Sequence, residues 1–135
     1  MSAENVAIVR AFYDALEAGD PPAALARLSP DMVWSEAENF PYADRSPYVG
    51  HDAIVEGIFA RLGSEWDGFG VVVDELLDAG DRVVALGRYV GTYKASGNAM
   101  NPQAVHVWTL SDGKAVAFQQ YVDTLAVARA MGASA

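Results

Sequence analysis

The chain contains no cysteine and only two histidines, His51 and His106, among its 135 residues. Disulfides and thiolate metal sites are therefore excluded. Two isolated histidines without a third soft ligand also argue against a zinc site. We expect no bound metal, and a chain without disulfides suits a reducing cytoplasm.

Basic residues and phosphate-binding loops are scarce as well. Nine lysines and arginines stand against 18 acidic residues, which gives a formal charge of −9. Such a surface repels phosphate backbones and anionic lipids, so we expect neither nucleic acid nor a membrane as a partner. The twelve glycines form no G-x-G-x-x-G or Walker loop, and no serine lies in a nucleophile elbow. We therefore expect no cofactor.

No apolar run approaches the length of a membrane span. The first residues, "MSAENVAIVRAFYDALEAGD", mix acidic with apolar residues and lack a basic region, so they do not predict a signal peptide. A hydrophobic fraction of 52% excludes disorder and supports one well-packed core. We expect residues 1–135 to form a single domain.

The order of the patterns predicts helices first and strands afterwards. Helical spacing of apolar residues predicts helices over 3–18, 21–28 and 51–62, each followed by a turn or a break. The period then changes to two, which predicts strands over 71–77, 83–93, 104–110 and 115–122 after a first strand over 32–36. A short helix over 124–131 closes the chain. This order favours an α+β fold with helices packed on one face of a curved sheet.

The segment "WSEAENFPYADRSPYVG" (34–50) combines carboxylates with aromatic residues in the longest irregular stretch. Met32, Trp34 and Glu36 fall on one face of the first strand. If that face lines a pocket, burial raises the pKa of Glu36 towards that of a usable general base. The alternative is a glutamate at a strand end that faces solvent. Glu38 shares the same two interpretations.

His106 lies in "AVHVWTL", within an apolar strand, where it is either a pocket donor or a histidine satisfied inside the core. Its neighbours depend on the turn "SDG" (111–113). A two-residue turn places His106 opposite Gln119, whereas a three-residue turn with a glycine bulge brings Phe118 and Gln120 round instead.

Six pieces of the sequence in this order carry a family resemblance: "RAFYDALEAGD", "LSPDMVW", "YVGHDAI", "GRYVGTYKASG", "AVHVWTLSDGK" and "FQQYVDTLAVARAMG". The chain resembles the nuclear transport factor two-like superfamily, and within it the SnoaL-like branch related to ketosteroid isomerase and the polyketide cyclases. The resemblance implies a cone-shaped α+β barrel in which three N-terminal helices pack on a strongly bent, mostly antiparallel sheet. It also implies a pocket at one end and a homodimer formed through the sheet.

The resemblance further implies roles for individual residues. Glu36 matches the proton-abstracting carboxylate, His106 the acid of the oxyanion hole, and Asp123 an acid/base at the end of the last strand. Asp123 has a second interpretation as the N-cap of the closing helix. Phe12 lies where the oxyanion tyrosine would be and lacks its hydroxyl. The expected lining of the pocket comprises Phe12, Trp34, Glu38, Phe40, Tyr89, Trp108, Phe118 and Gln120.

Three functional hypotheses follow from these residues. The first is a cofactor-free acid/base enzyme of isomerase, cyclase or lyase type, acting on a small and mostly apolar molecule. The second is a carrier or sensor that uses the same pocket without chemistry. The third is a dimeric interaction module whose pocket is filled by Trp34, Trp108 and Phe118.

Overall fold

The computed structural model describes residues 2–133 and begins with two helices. Helix α1 (Ala3–Glu17) starts at Ser2, whose hydroxyl accepts the N–H of Asn5. Helix α2 (Pro21–Leu25) is capped by the Asp20 carboxylate, which accepts the N–H of Ala23. Both N-caps follow the sequence pattern, because a short polar side chain satisfies an N–H that the first helical turn leaves free.

The third helix runs without a break through three segments. These are α3 (His51–Ile54), a π-helical turn (Val55–Phe59) and α4 (Ala60–Glu65). The predicted start at His51 is confirmed, but the helix continues past Gly63. A last short helix, α5 (Thr124–Ala130), closes the described chain.

The seven strands are β1 (Leu28–Ser35), β2 (Tyr48–Val49), β3 (Trp66–Ala79), β4 (Arg82–Tyr93), β5 (Ala99–Met100), β6 (Gln103–Ser111) and β7 (Lys114–Val122). They form one sheet in the order β2-β1-β7-β6-β4-β3, with β5 paired to β4. The β1–β7 pair is parallel and the other pairs are antiparallel. The α+β class and the mostly antiparallel sheet are therefore confirmed.

The expected cone-shaped barrel with a strongly bent sheet is corrected by this strand order. The path ends at β2 and β3, which do not pair, and the sheet is neither closed nor strongly curled. The edge strand β2 has only two residues, whereas β3 has fourteen. So short an edge offers too few backbone groups to close a barrel against β3.

The first strand starts earlier than the sequence predicts. The sequence predicts a first strand over 32–36, but the stretch "SPD" (29–31) already belongs to β1, which begins at Leu28 and pairs there with Ala115 of β7. The β1–β7 register shifts between Leu28 and Val33. A proline is tolerated in such an irregular stretch because it interrupts no regular ladder of hydrogen bonds.

The turn between β6 and β7 sets the surroundings of the central histidine. Asp112 and Gly113 have φ values of 52° and 79°, as a two-residue turn of type I′ requires. A bulge at Val116 then shifts the register by one residue, so that His106 faces Gln120. The register expected from the longer turn is therefore reached with the shorter one, because the bulge supplies the extra residue.

The core lies between α1, the third helix and the inner face of the sheet. Its largest fully buried side chains are Trp108, Tyr42, Phe12, Leu28, Met32, Ile54, Val9, Val83 and Val127. On the opposite face of the sheet, Val33 and Tyr121 remain exposed. Within residues 2–133, none of the helices is both long and apolar enough to span a bilayer.

Candidate functional site

A cavity of about 670 Å³ lies between α1, the third helix and the inner face of the sheet. Its volume is within the range of pockets that hold small organic molecules. Its wall is mainly apolar, with a few polar groups. The predicted site residues that line it are Phe12, Trp34, Glu36, Phe40, Tyr89, His106 and Phe118.

Trp108 and Gln120 lie one layer behind this wall. Trp108 is fully buried, and its ring centroid is 4.8 Å from the centroids of both Phe12 and Phe118. Gln120 is buried and reaches the cavity only through its hydrogen bond to Tyr89. The aromatic residues pack on one another beneath the cavity and leave its volume free, which does not match the filled pocket of the interaction-module hypothesis.

Glu38 and Asp123 lie outside the cavity, contrary to the expected site. Strand β1 ends at Ser35, and the chain turns at Asn39, whose φ is 70°. Glu38 therefore lies outside the strand, no longer shares the inward-facing side of Trp34 and Glu36, and is exposed. Asp123 is also exposed, and its carboxylate accepts the N–H of Ala126 at 3.2 Å. Its position therefore follows the second interpretation, an N-cap for α5.

Glu36 lines the cavity and is only 7% exposed. Its position is fixed from the backbone, because the N–H of Glu36 donates to the Ser46 hydroxyl at 3.0 Å. Burial raises the pKa of Glu36 to about 8, and the nearby indole N–H of Trp34 partly opposes this rise. The predicted desolvated carboxyl is therefore present, with a pKa suited to proton transfer near neutral pH.

Two buried polar atoms in this wall have no hydrogen-bond partner among the described residues: Oε2 of Glu36 and Nε1 of Trp34. The two groups are close enough for the indole to lower the carboxyl pKa, but they do not reach hydrogen-bond geometry with each other. Trp34 is held in place by stacking on Phe118, with 3.7 Å between ring centroids. Unpaired buried polar atoms are rare in folded proteins, and a molecule bound in the cavity would give these two atoms a partner.

His106 lies between two tyrosine hydroxyls on the same cavity wall. The Tyr13 oxygen is 2.6 Å from Nδ1, and the Tyr89 oxygen is 2.5 Å from Nε2. Burial lowers the pKa of His106 to about 3, so the imidazole is neutral at neutral pH. A neutral imidazole carries one N–H donor and one acceptor nitrogen, and each hydroxyl meets one of them.

Each tyrosine hydroxyl also accepts a second hydrogen bond from behind. The indole N–H of Trp108 donates to Tyr13 at 2.9 Å, and the amide N–H of Gln120 donates to Tyr89 at 2.7 Å. The amide oxygen of Gln120 accepts the N–H of Ala37 at 3.1 Å, which fixes the orientation of the amide. Burial raises the pKa of both phenols well above the usual range, so they remain protonated.

Tyr13 was not among the predicted site residues, although the sequence offered one signal. It follows Phe12, the residue that occupies the position of the expected oxyanion tyrosine. The Tyr13 hydroxyl reaches Nδ1 of His106 from α1, and the Tyr89 hydroxyl reaches Nε2 from β4.

The aromatic residues of segment 34–50 divide between the cavity and the core. Phe40 lines the cavity and is 4% exposed. Tyr42 turns away from it: its hydroxyl donates to Glu65 at 2.6 Å and accepts the indole N–H of Trp66 at 2.9 Å. Tyr48 donates to the carbonyl oxygen of Tyr42. Segment 34–50 therefore supplies Trp34, Glu36 and Phe40 to the cavity wall and folds Tyr42 and Tyr48 onto the core.

No group of three or more histidine, cysteine, aspartate or glutamate side chains placed to hold a metal ion occurs between residues 2 and 133. The buried polar groups of the wall are one carboxyl, one imidazole, one indole N–H and two phenols, whereas the charged side chains that line the cavity, Arg10, Asp14 and Glu17, are exposed. Such a set can bind an uncharged organic molecule and exchange protons with it.

Comparison with known proteins gives a consistent family. A family model described as "SnoaL-like domain" matches residues 9–118. An NTF2-like protein of Burkholderia thailandensis E264 is 42% identical, with a TM-score of 0.91 over 98% of this chain and 100% of that one. An NTF2-like protein of unknown function from Burkholderia pseudomallei K96243 is 29% identical, with a TM-score of 0.88 over the same shares.

A further solved structure, TerC co-crystallised with polyporic acid, is 26% identical, with a TM-score of 0.86 over 97% of this chain and 100% of that one. A search among curated proteins gives no significant match. The matched segment, the fold and the identity to a full-length relative together show that the chain belongs to the SnoaL-like family, with a nuclear transport factor two-like fold.

Proposed function

We propose that the protein binds a small, mostly apolar molecule in the cavity and transfers a proton on it without a cofactor, as isomerases, cyclases and lyases do. The observation that carries this proposal is the buried Glu36 carboxyl, which faces an apolar cavity with one oxygen unpartnered. TerC, a relative with the same fold, was crystallised with the small molecule polyporic acid, which supports a small-molecule ligand.

In its ionised form, Glu36 removes a proton from a carbon next to a carbonyl group of the substrate. The electron pair of the broken C–H bond moves onto the carbonyl oxygen, and the hydrogen-bond donors of the wall stabilise the resulting enolate. Protonated Glu36 then returns the proton to another carbon, which isomerises the substrate. In a cyclisation, the enolate carbon attacks a second carbonyl, and the proton goes to the new alkoxide.

The test is the conversion of a panel of enolisable ketones and linear diketones by the wild type and by Glu36→Gln. We expect the wild-type rate to rise with pH through about 8, because only the ionised carboxyl is a base. Glu36→Gln should lower the rate about a hundredfold or more while ligands still bind. Glu38→Gln is the matched control, since the same change two residues away lies outside the cavity and should alter neither the rate nor ligand binding.

Full activity in Glu36→Gln would remove this residue from the mechanism. Tight binding of panel compounds by the wild type without any conversion would instead favour the carrier hypothesis, which uses the same cavity.

We also propose that the chain forms a homodimer through the outer face of the sheet. Val33 on β1 and Tyr121 on β7 are 38% and 56% exposed on that face, so they offer apolar and aromatic surface to a second copy of the chain. Light scattering of the purified protein should give twice the mass of the chain, and Tyr121→Lys should shift the protein towards monomer. A wild type that is monomeric at all accessible concentrations would contradict this proposal.

A further inference from the structure

The hydrogen bonds around His106 leave one hydrogen unused. Neutral His106 contributes one N–H, and Tyr13 and Tyr89 each contribute one O–H, which makes three hydrogens on the three side chains. Only two contacts join them, one on each ring nitrogen. The N–H groups of Trp108 and Gln120 occupy the remaining sites behind the phenols as donors, so they cannot take up the third hydrogen.

The tautomer of His106 decides which hydroxyl holds this hydrogen. With the proton on Nε2, His106 donates to the Tyr89 oxygen, Tyr13 donates to Nδ1, and the O–H of Tyr89 is free. With the proton on Nδ1, the roles reverse and the O–H of Tyr13 is free. Both tyrosines line the cavity, so either hydrogen could meet a ligand.

The surroundings of the two phenols differ. The ring contacts of neither phenol offer a further acceptor: Tyr13 contacts Phe12, His106 and Trp108, and Tyr89 contacts Phe40, Phe69 and His106. Tyr89, however, accepts the amide N–H of Gln120 at 2.7 Å, and the oxygen of the same amide accepts the N–H of Ala37, the residue after Glu36, at 3.1 Å. These hydrogen bonds place the Tyr89 hydroxyl on the side of the cavity where Glu36 lies, and, besides burial, the negative charge of Glu36 contributes to the raised pKa of Tyr89. A free O–H is therefore satisfied more easily at Tyr89, beside the carboxyl and whatever the carboxyl binds.

We infer that His106 carries its proton on Nε2 and that Tyr89 donates its free O–H to an oxygen atom of the ligand held next to Glu36. This assignment rests on the proposed function for the presence of a ligand at Glu36. It makes Tyr89 the direct hydrogen-bond donor, while His106 and Gln120 are positioning residues that act through it. The sequence had instead assigned the donor role to His106 itself.

The geometry also makes Tyr89 a strong donor. Its oxygen accepts N–H groups from His106 at 2.5 Å and from Gln120 at 2.7 Å. Two accepted hydrogen bonds polarise the O–H and stabilise negative charge that shifts onto the phenol oxygen. The unpartnered indole N–H of Trp34 supplies a second donor on the same wall.

These donors define the class of ligand. A molecule that fits presents an oxygen acceptor to Tyr89 and Trp34 and shares a proton with Glu36, within a mainly aromatic and aliphatic enclosure. Enolisable ketones and phenols have this combination of groups. An organic cation without an oxygen acceptor would leave both donors unpaired, and its binding would be weakened by the desolvation penalty of two buried, unsatisfied N–H and O–H groups.

The first test needs no ligand. Long-range proton–nitrogen NMR spectra of the nitrogen-labelled protein report which imidazole nitrogen carries a hydrogen, and a His51→Gln variant separates the signals of the two histidines. We expect a protonated Nε2 and an unprotonated Nδ1 for His106. The opposite tautomer, or a doubly protonated ring at neutral pH, would overturn the inference even if turnover depends on Glu36.

The second test uses para-nitrophenol as a probe, because its absorbance changes with its hydrogen bonding and ionisation. We expect the wild type to bind it, and Tyr89→Phe to weaken binding about tenfold to a hundredfold. Tyr13→Phe is the matched control: it removes the same hydroxyl from the other side of the same imidazole and should cost no more than a few-fold.

Equal losses in the two variants would mean that the network only supports the fold, and a larger loss in Tyr13→Phe would assign the donor to the wrong tyrosine. A wild type that does not bind the phenol also overturns the inference, since the cavity would then lack a free donor. Each of these results is distinct from failure of the Glu36 experiment, which concerns the base and not the donor.

Discussion

Relative to the wild type, Glu36→Gln should become progressively more stable as the pH rises from about 4.5 to about 8. In the folded protein the pKa of Glu36 is about 8, against 4.5 for an ordinary glutamate. Between these values the folded protein holds a proton that the unfolded chain has released, so each rise in pH favours unfolding. The difference in the free energy of unfolding should grow by about 1.4 kcal/mol per pH unit over this window.

His106 modifies the absolute curves in the opposite direction. Its pKa falls from 6.5 to about 3 on folding, so the unfolded chain binds the extra proton and stability rises with pH up to about 6.5. In the wild type, the effects of Glu36 and His106 on the free energy of unfolding cancel between about pH 4.5 and 6.5. From there to about pH 8, Glu36 alone lowers the free energy of unfolding as the pH rises. The free energy of unfolding of Glu36→Gln should rise up to about pH 6.5 and then stay level.

Urea denaturation at a series of pH values measures this difference directly. The control is Glu38→Gln, the same change at an exposed position outside the cavity, and it should not reproduce the divergence of Glu36→Gln from the wild type. If the curves of Glu36→Gln and the wild type were parallel throughout, Glu36 would titrate as a solvated residue, and the candidate base would lose its physical basis.

A buried carboxyl that destabilises the protein at neutral pH needs a reason to be there. Leucine or glutamine at this position would pack against Trp34 without the desolvation cost of a carboxylate. Positions at which local stability is sacrificed are concentrated at functional sites, where the group is needed for binding or chemistry. This argument supports a role for Glu36 in the cavity independently of its resemblance to a family position.

The inner face of β1 could be predicted from the sequence because strand alternation is a local property. Met32, Trp34 and Glu36 are all buried on one face, as the period of two requires. The alternation could not be extended to Glu38, since the chain leaves the strand after Ser35. Element boundaries depend on pairing with other strands, which the local pattern does not contain.

The polar network could not be assembled from the sequence for a related reason. Tyr13 meets His106 across 93 residues, and the register that turns Gln120 towards His106 depends on a bulge at Val116. No turn or glycine signal marks this bulge, because its position is set by the packing of two strands whose ends are fixed elsewhere. The sequence therefore supplied the carboxyl, the histidine and Tyr89 as candidates, but neither Tyr13 nor the hydrogen bonds that join these side chains.

Trp108→Ala should lower the free energy of unfolding by about 3–5 kcal/mol, the range for truncating a buried tryptophan. Trp108 is fully buried beneath the cavity, where its ring contacts Phe12, Trp34 and Phe118. Chemical denaturation with tryptophan-independent detection, such as far-ultraviolet circular dichroism, measures the loss. Leu125→Ala on α5 is the control: this leucine is 46% exposed, and its truncation should change stability by no more than about 0.5 kcal/mol.

Trp108→Phe separates packing from hydrogen bonding in the same position. It keeps an aromatic ring against Phe12 and Phe118 but removes the N–H that donates to Tyr13 at 2.9 Å. We expect it to recover most of the lost stability. A loss of stability as large as that of Trp108→Ala would show that Trp108 stabilises the protein through its hydrogen bond to Tyr13 and not through its ring contacts. The structural role of Trp108 would then belong to the hydrogen-bond network around His106.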